Sequence, residues 1–251
     1  MTIWDSSRGY KVGYKMNKLL IRESEYINGL PLTNIQKVRL YQMLYRGMTH
    51  DSSTYFLLHG STAITKSGKC ILFGDGIDCI GKTSTSLFIG LDSGRYVADE
   101  YSVYNDLTGT LYGNPSMLIF VRNKMKGILP IDIKWSNQPE TSFLPSDIGL
   151  KVESAKLDAI VSPHIGDRME LVEETNPIRK MRKMAITSTA HRLKFTDNSL
   201  DRVNGTSHSD EKIEISDYTI GLQVPASLLA LPYYDAYLQE SSQIIDLLKG
   251  L

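Results

Sequence analysis

The chain has 251 residues, 41% of them hydrophobic and 22% charged, with 28 basic residues balanced by 28 acidic ones. This composition suits a globular protein that buries a core, and zero net charge excludes a general nucleic-acid binder, which carries a basic excess. Cys70 and Cys79 make neither a disulfide framework nor a metal-ligand set, no apolar run approaches the roughly 18 residues of a membrane span, and the charged N-terminus lacks a secretory apolar core. A cytoplasmic protein without a membrane partner is the expectation.

Residues 1–50 read as a small N-terminal lead-in and 51–251 as the main domain. The lead-in ends in an expected helix from Thr33 to Tyr45, capped by Thr33, with Ile35, Val38, Tyr41 and Leu44 on an apolar face. Tyr55–Ile64 reads as a strand, Lys66–Lys69 as a turn and Cys70–Phe73 as a short buried strand. A glycine-rich loop follows, then a helix over Lys82–Leu91 and a strand over Arg95–Ala98 that ends in Asp99-Glu100. Short apolar segments at 116–121, 127–133, 157–161 and 169–172 read as further strands. Residues 181–195 read as a helix, 196–212 as an exposed polar loop and 234–248 as a closing amphipathic helix. Strands alternating with a few helices indicate an α/β fold with a mixed sheet.

The segment Gly76-Ile77-Asp78-Cys79-Ile80-Gly81-Lys82-Thr83, with Ser84 next, satisfies the phosphate-loop spacing G-x-x-x-x-G-K-[ST]. A chance match in a chain of this length has a probability of roughly 1% from average composition. It lies between an expected strand and an expected helix, where its chemistry requires it. Backbone N–H groups of such a loop cradle phosphates, and the helix dipole favours the anion. Lys82 would reach the terminal phosphates of ATP and the Thr83 hydroxyl would bind Mg²⁺. If the strand before Asp99-Glu100 runs parallel to the loop strand, both acids arrive beside the phosphates. One would hold Mg²⁺ and the other accept a proton from an attacking hydroxyl. His59 lies in an apolar strand, where a histidine is usually packed core. Pairing of that strand with the loop strand would turn its ring towards the phosphates.

The block His59–Tyr104, with its "HG", its hairpin, its phosphate loop and its "VADE", resembles HPr kinase/phosphorylase and, more distantly, phosphoenolpyruvate carboxykinase. Gly94–Glu100 (GRYVADE) is similar to the family's glycine-to-diacid segment. Lys126–Asp132 and Asn176–Arg182, followed by Ala185, resemble two later segments in the right order. The chain differs in carrying Asp78 and Cys79 in the loop and Glu100 as the second acid.

The resemblance implies an ATP-using phosphotransferase on a mixed sheet. By position it makes Asp99 the general base, with Glu100 and Thr83 on the metal. It sets His59 at the active centre and Arg179 or Arg182 near the transferred phosphate, where a planar guanidinium matches phosphate oxygens. The acceptor would be a hydroxyl of a small molecule, a peptide or a protein serine, and a homo-oligomer is allowed. A non-catalytic nucleotide sensor and a simple NTPase are the alternatives.

Overall fold

The computed structural model describes residues 54–74, 81–115, 117–194 and 224–251, together with five short strands before residue 32. The chain divides into two compact units, Met1–Ser53 with Phe195–Glu211, and Thr54–Lys194 with Lys212–Leu251. In the first, β1 (Thr2–Asp5), β2 (Tyr10–Lys15) and β3 (Lys18–Arg22) form an antiparallel sheet, and β4 (Tyr26–Ile27) pairs with β5 (Leu30–Pro31). The helix expected over 33–45 and the loop expected over 196–212 lie outside the described residues.

The second unit runs β6 (Tyr55–His59), β7 (Ser61–Ile64), β8 (Cys70–Phe73), α1 (Lys82–Ser93), β9 (Arg95–Ala98), β10 (Tyr101–Asn105) and β11 (Thr110–Tyr112). Next come β12 (Ile119–Arg122), β13 (Glu140–Phe143), β14 (Lys151–Val152), β15 (Ala155–Ile165) and β16 (Glu170–Glu173). The chain closes with α2 (Pro177–Lys194), α3 (Ala226–Ala230), β17 (Tyr233–Leu238) and α4 (Ile244–Leu247). The long strand β15 joins two groups of strands. On one side β14-β9-β7-β8 reaches it in order; on the other it takes the antiparallel meander β11-β10-β6 and, further along, β17 and β16. β8, β15 and β17 are mutually parallel, so the sheet is mixed and the fold α/β.

The period of two along the strands assigns side chains to two cores. Ile71, Phe73, Ala159 and Val161 face Leu87, Phe88 and Ile89 of α1 and Ile244 of α4. Cys70, Leu72, Leu157 and Ile160 face Met184 of α2 and Leu228 of α3. Burying each large apolar side chain stabilises by about 1.5–3 kcal/mol, so both helical layers are held by the same strands. Cys70 is a free, buried thiol that burial pushes up to about 12, which makes it inert packing.

The segment expected as one strand over Tyr55–Ile64 is broken at Gly60. β6 pairs with β10 in the meander, whereas β7 pairs with β8 and β9 in the central group. Gly60 marks the crossing, because a Cβ there would lie 2.5 Å from the Phe73 carbonyl oxygen and 2.9 Å from Leu72 Cδ1. Gly60→Ala is expected to destabilise by about 1–3 kcal/mol, the usual overpacking range, read as a lower denaturant midpoint at unchanged m.

Three further elements differ from expectation. Residues 127–133 form turns, not a strand: Gly127 has φ 80°, and Pro130 has no N–H to donate to a ladder. The strand expected at 116–121 does form, as β12, but among the described residues it pairs with β13 in a separate hairpin and not with the main sheet. Residues 234–248 are not one amphipathic helix. Tyr233–Leu238 extends along β15 in parallel register, and helix begins only near Ile244. Tyr233, Ala236 and Leu238 are buried there, so pairing between β15 and β16 outweighs the helical spacing of the apolar residues. No described helix is long and apolar enough to cross a membrane.

Candidate functional site

Of the phosphate-loop residues, Gly81, Lys82, Thr83 and Ser84 are described; Gly76, Ile77, Asp78, Cys79 and Ile80 lie outside the described residues. Gly81 takes the N-cap position of α1 at φ 89°, a left-handed conformation that disfavours a side chain. It supplies no side-chain cap, and the first turn carries no acid. The N–H groups that open α1 thus receive no side-chain cap from the N-cap residue. Lys82 and Thr83 are the first two residues of the helix.

β9 runs antiparallel to β7, and β7 antiparallel to β8, so β9 and β8 point the same way with one strand between them. Asp99, just past β9, consequently meets the start of α1. The Thr83 hydroxyl donates to Asp99 Oδ1 at 2.9 Å, and the Phe120 N–H approaches Oδ2 at 3.4 Å. The Asp99 side chain is buried at 1% exposure. Burial, and then the charge of Glu100, push its carboxyl up to about 7 against the hydrogen bonds that favour the anion.

Glu100 adopts φ 64°, and the Tyr101 N–H donates to the Asp99 carbonyl at 2.7 Å. This is the rare three-residue turn with a positive central φ, a strained conformation for any residue with a Cβ. The strain sits where the chain passes from β9 to β10, next to the crossing at Gly60, whose N–H donates to the Glu100 carbonyl at 2.9 Å. Glu100→Gly is expected to raise the melting temperature by about 2–4 °C, since relief of strain exceeds the entropic cost of glycine by about 1 kcal/mol. It would do so while removing the carboxylate.

His59 is brought to this corner by a different pairing from the one expected. Its strand pairs with β10, which sets His59 opposite Tyr101, and not with the loop strand β8. Its Nε2 lies 3.9 Å from Glu100 Oε2, beyond hydrogen-bond length, and its ring tilts against Tyr101 with centroids 5.3 Å apart.

A cavity of about 720 Å³ opens over these groups, within the range of small-molecule sites. Its floor is His59, Gly81–Ser84 and Glu100. One wall is the β12–β13 hairpin with its loop, carrying Phe120, Arg122, Lys124, Met125, Ile128 and Glu140; the other is Ile165, Glu240 and Ser241.

No protein-family model matches the chain, and no curated protein matches it. Its function is read from the chemistry of its own residues.

Arg179 and Arg182 are exposed on α2 and are not among the residues that line the cavity; Arg122 and Lys124 are. The sequence signal for this pair was the basic run Arg122–Lys126 after an apolar strand, inside a region read only as sheet. Ile165 and Ser241 had no signal, because each enters through tertiary pairing. No group of three His, Cys, Asp or Glu able to hold a metal occurs among the described residues. Mg²⁺ at a nucleotide does not require one: it takes one or two carboxylates or hydroxyls from the protein and the rest from phosphates and water. The hard oxygen pair Thr83–Asp99 at an uncapped helix start, with Glu100 beside it, fits that donor set.

Proposed function

We propose that the chain is a Mg²⁺-dependent phosphotransferase that moves the γ-phosphate of ATP to a hydroxyl, as the likeness of its loop and acid pair to HPr kinase/phosphorylase implies. The observation that carries this reading is the bond from Thr83 to the buried Asp99 at the start of α1. It joins a phosphate-loop hydroxyl to a carboxylate at the end of a neighbouring strand, the pair that holds the metal in phosphate-loop enzymes.

The geometry favours a division of labour between the acids. Asp99 is buried beneath Thr83 and serves the metal site. Glu100 lines the cavity with His59 near its carboxylate, and is the better placed to take the proton of an incoming hydroxyl. Lys82 and the N–H groups of α1 bind phosphate oxygens. Arg122, on the facing wall, takes the part first given to Arg179 or Arg182, neutralising charge on the phosphoryl group in flight. Bound Mg²⁺ would supply charge neutralisation across the β- and γ-phosphates.

The test follows γ-labelled ATP with wild type and Glu100→Gln, in the presence of small alcohols and hydroxylated peptides. Transfer of label that Glu100→Gln abolishes, with ATP still bound, supports a kinase. Release of free phosphate at a rate no acceptor changes identifies an NTPase. Binding without turnover identifies a nucleotide sensor.

A further inference from the structure

Beneath the Thr83–Asp99 pair lie three buried hydroxyls from three different elements: Ser61 on β7, Ser86 on α1 and Tyr96 on β9. Tyr96 OH is 2.6 Å from Ser61 Oγ and 2.9 Å from Ser86 Oγ, and the two serine oxygens are in direct contact. Each hydroxyl has one proton to give. That of Ser86 goes to the Thr83 carbonyl at 3.0 Å. The Ser61 hydroxyl, in contact with Ser86 Oγ, is left to donate there. Burial, reinforced by the charge of Asp99, raises the Tyr96 pKa and keeps that hydroxyl a donor. Its acceptors in the bracket are the two serine oxygens.

The chain of donors thus has one consistent direction. Tyr96 donates into the serine pair, Ser61 donates to Ser86, Ser86 grips the backbone of Thr83, and Thr83 in turn holds the side chain of Asp99. We propose that Tyr96 is a positioning residue for the metal site, its hydroxyl locking Ser61 and Ser86 so that the Thr83 and Asp99 oxygens keep the spacing Mg²⁺ requires. Partners behind the ligands orient a metal site, and losing one typically lowers metal affinity about 10–100-fold. The inference rests on the nucleotide reading above.

The test is the Mg²⁺ concentration that gives half of the thermal stabilisation by ATP, measured for wild type, Tyr96→Phe, Ser86→Ala and Tyr104→Phe. Tyr104 is the control: it is a buried tyrosine of the meander whose hydroxyl bonds Ser227, away from the metal pair. Tyr96→Phe is expected to raise the Mg²⁺ midpoint about tenfold or more, and Ser86→Ala to raise it in the same direction. ATP binding in EDTA should stay unchanged in both. Tyr104→Phe should lower the melting temperature and leave the Mg²⁺ midpoint in place. An unchanged midpoint in Tyr96→Phe, with wild type responding normally, overturns the positioning role alone. An equal shift in Tyr104→Phe overturns it too, because the effect would then be general loosening. A wild type with no Mg²⁺-dependent shift overturns the nucleotide reading, and the positioning role falls with it.

Discussion

Lys82→Ala is expected to abolish stabilisation by nucleotide. Ligand at 100 times its dissociation constant adds about 2.7 kcal/mol to a protein that binds it only when folded. For a domain of this size that raises the melting temperature by roughly 5–10 °C. Wild type with ATP and Mg²⁺ should show this rise, ADP and GTP should rank by affinity, and Lys82→Ala should melt as the free protein does. The expectation follows from placement: Lys82 is the first residue of α1 and lines the cavity together with Gly81, Thr83 and Ser84. No rise in wild type with any nucleotide would remove the basis for a phosphotransferase.

The second large effect is a pH dependence that Asp99→Asn removes. The folded-state pKa of Asp99, about 7, lies above its ordinary value of 3.8. Between those values the folded chain holds a proton that the unfolded chain has released. The contribution of this carboxyl to stability is therefore greatest below about pH 4, falls as pH rises to about 7, and levels off above it. At 1.36 kcal/mol per pKa unit, the loss is on the order of 4 kcal/mol. Denaturant midpoints from pH 4 to 8 should show this slope in wild type and a much flatter line in Asp99→Asn, which should be the more stable protein at pH 8. Adding ATP with Mg²⁺ should offset the wild-type slope, since a metal ligand must be deprotonated and binding strengthens with pH. A wild-type curve as flat as that of the variant would place the Asp99 carboxylate in a solvated setting.

What the sequence made legible was local. Cys70–Phe73 and Arg95–Ala98 are short, apolar and punctuated by glycine, and both form the expected strands. The start of α1 at Lys82 follows from the loop spacing, and the direction of β9 follows from the helix before it. Those pieces alone bring Thr83 and Asp99 together. The rest depended on partners far away in the chain. Tyr233–Leu238 reads as helix by spacing and becomes a strand because β15 and β16 offer edges on both sides. Arg122 enters the cavity because β12 leaves the main sheet to pair with β13. His59 reaches Glu100 because the chain runs beside β10 up to His59 and crosses to β8 only after Gly60. No local propensity encodes any of these three.

The crossings at Gly60 and at Asp99-Glu100 divide the site between two groups of strands in one sheet. Thr83 and Asp99 belong with the central strands and α1, whereas His59 and Glu100 begin the meander of β6, β10 and β11. The meander is pinned elsewhere by Ser227 of α3, which bonds both Asp106 and Tyr104. The proposed metal pair and the proposed proton acceptor thus hang from different strands of one sheet.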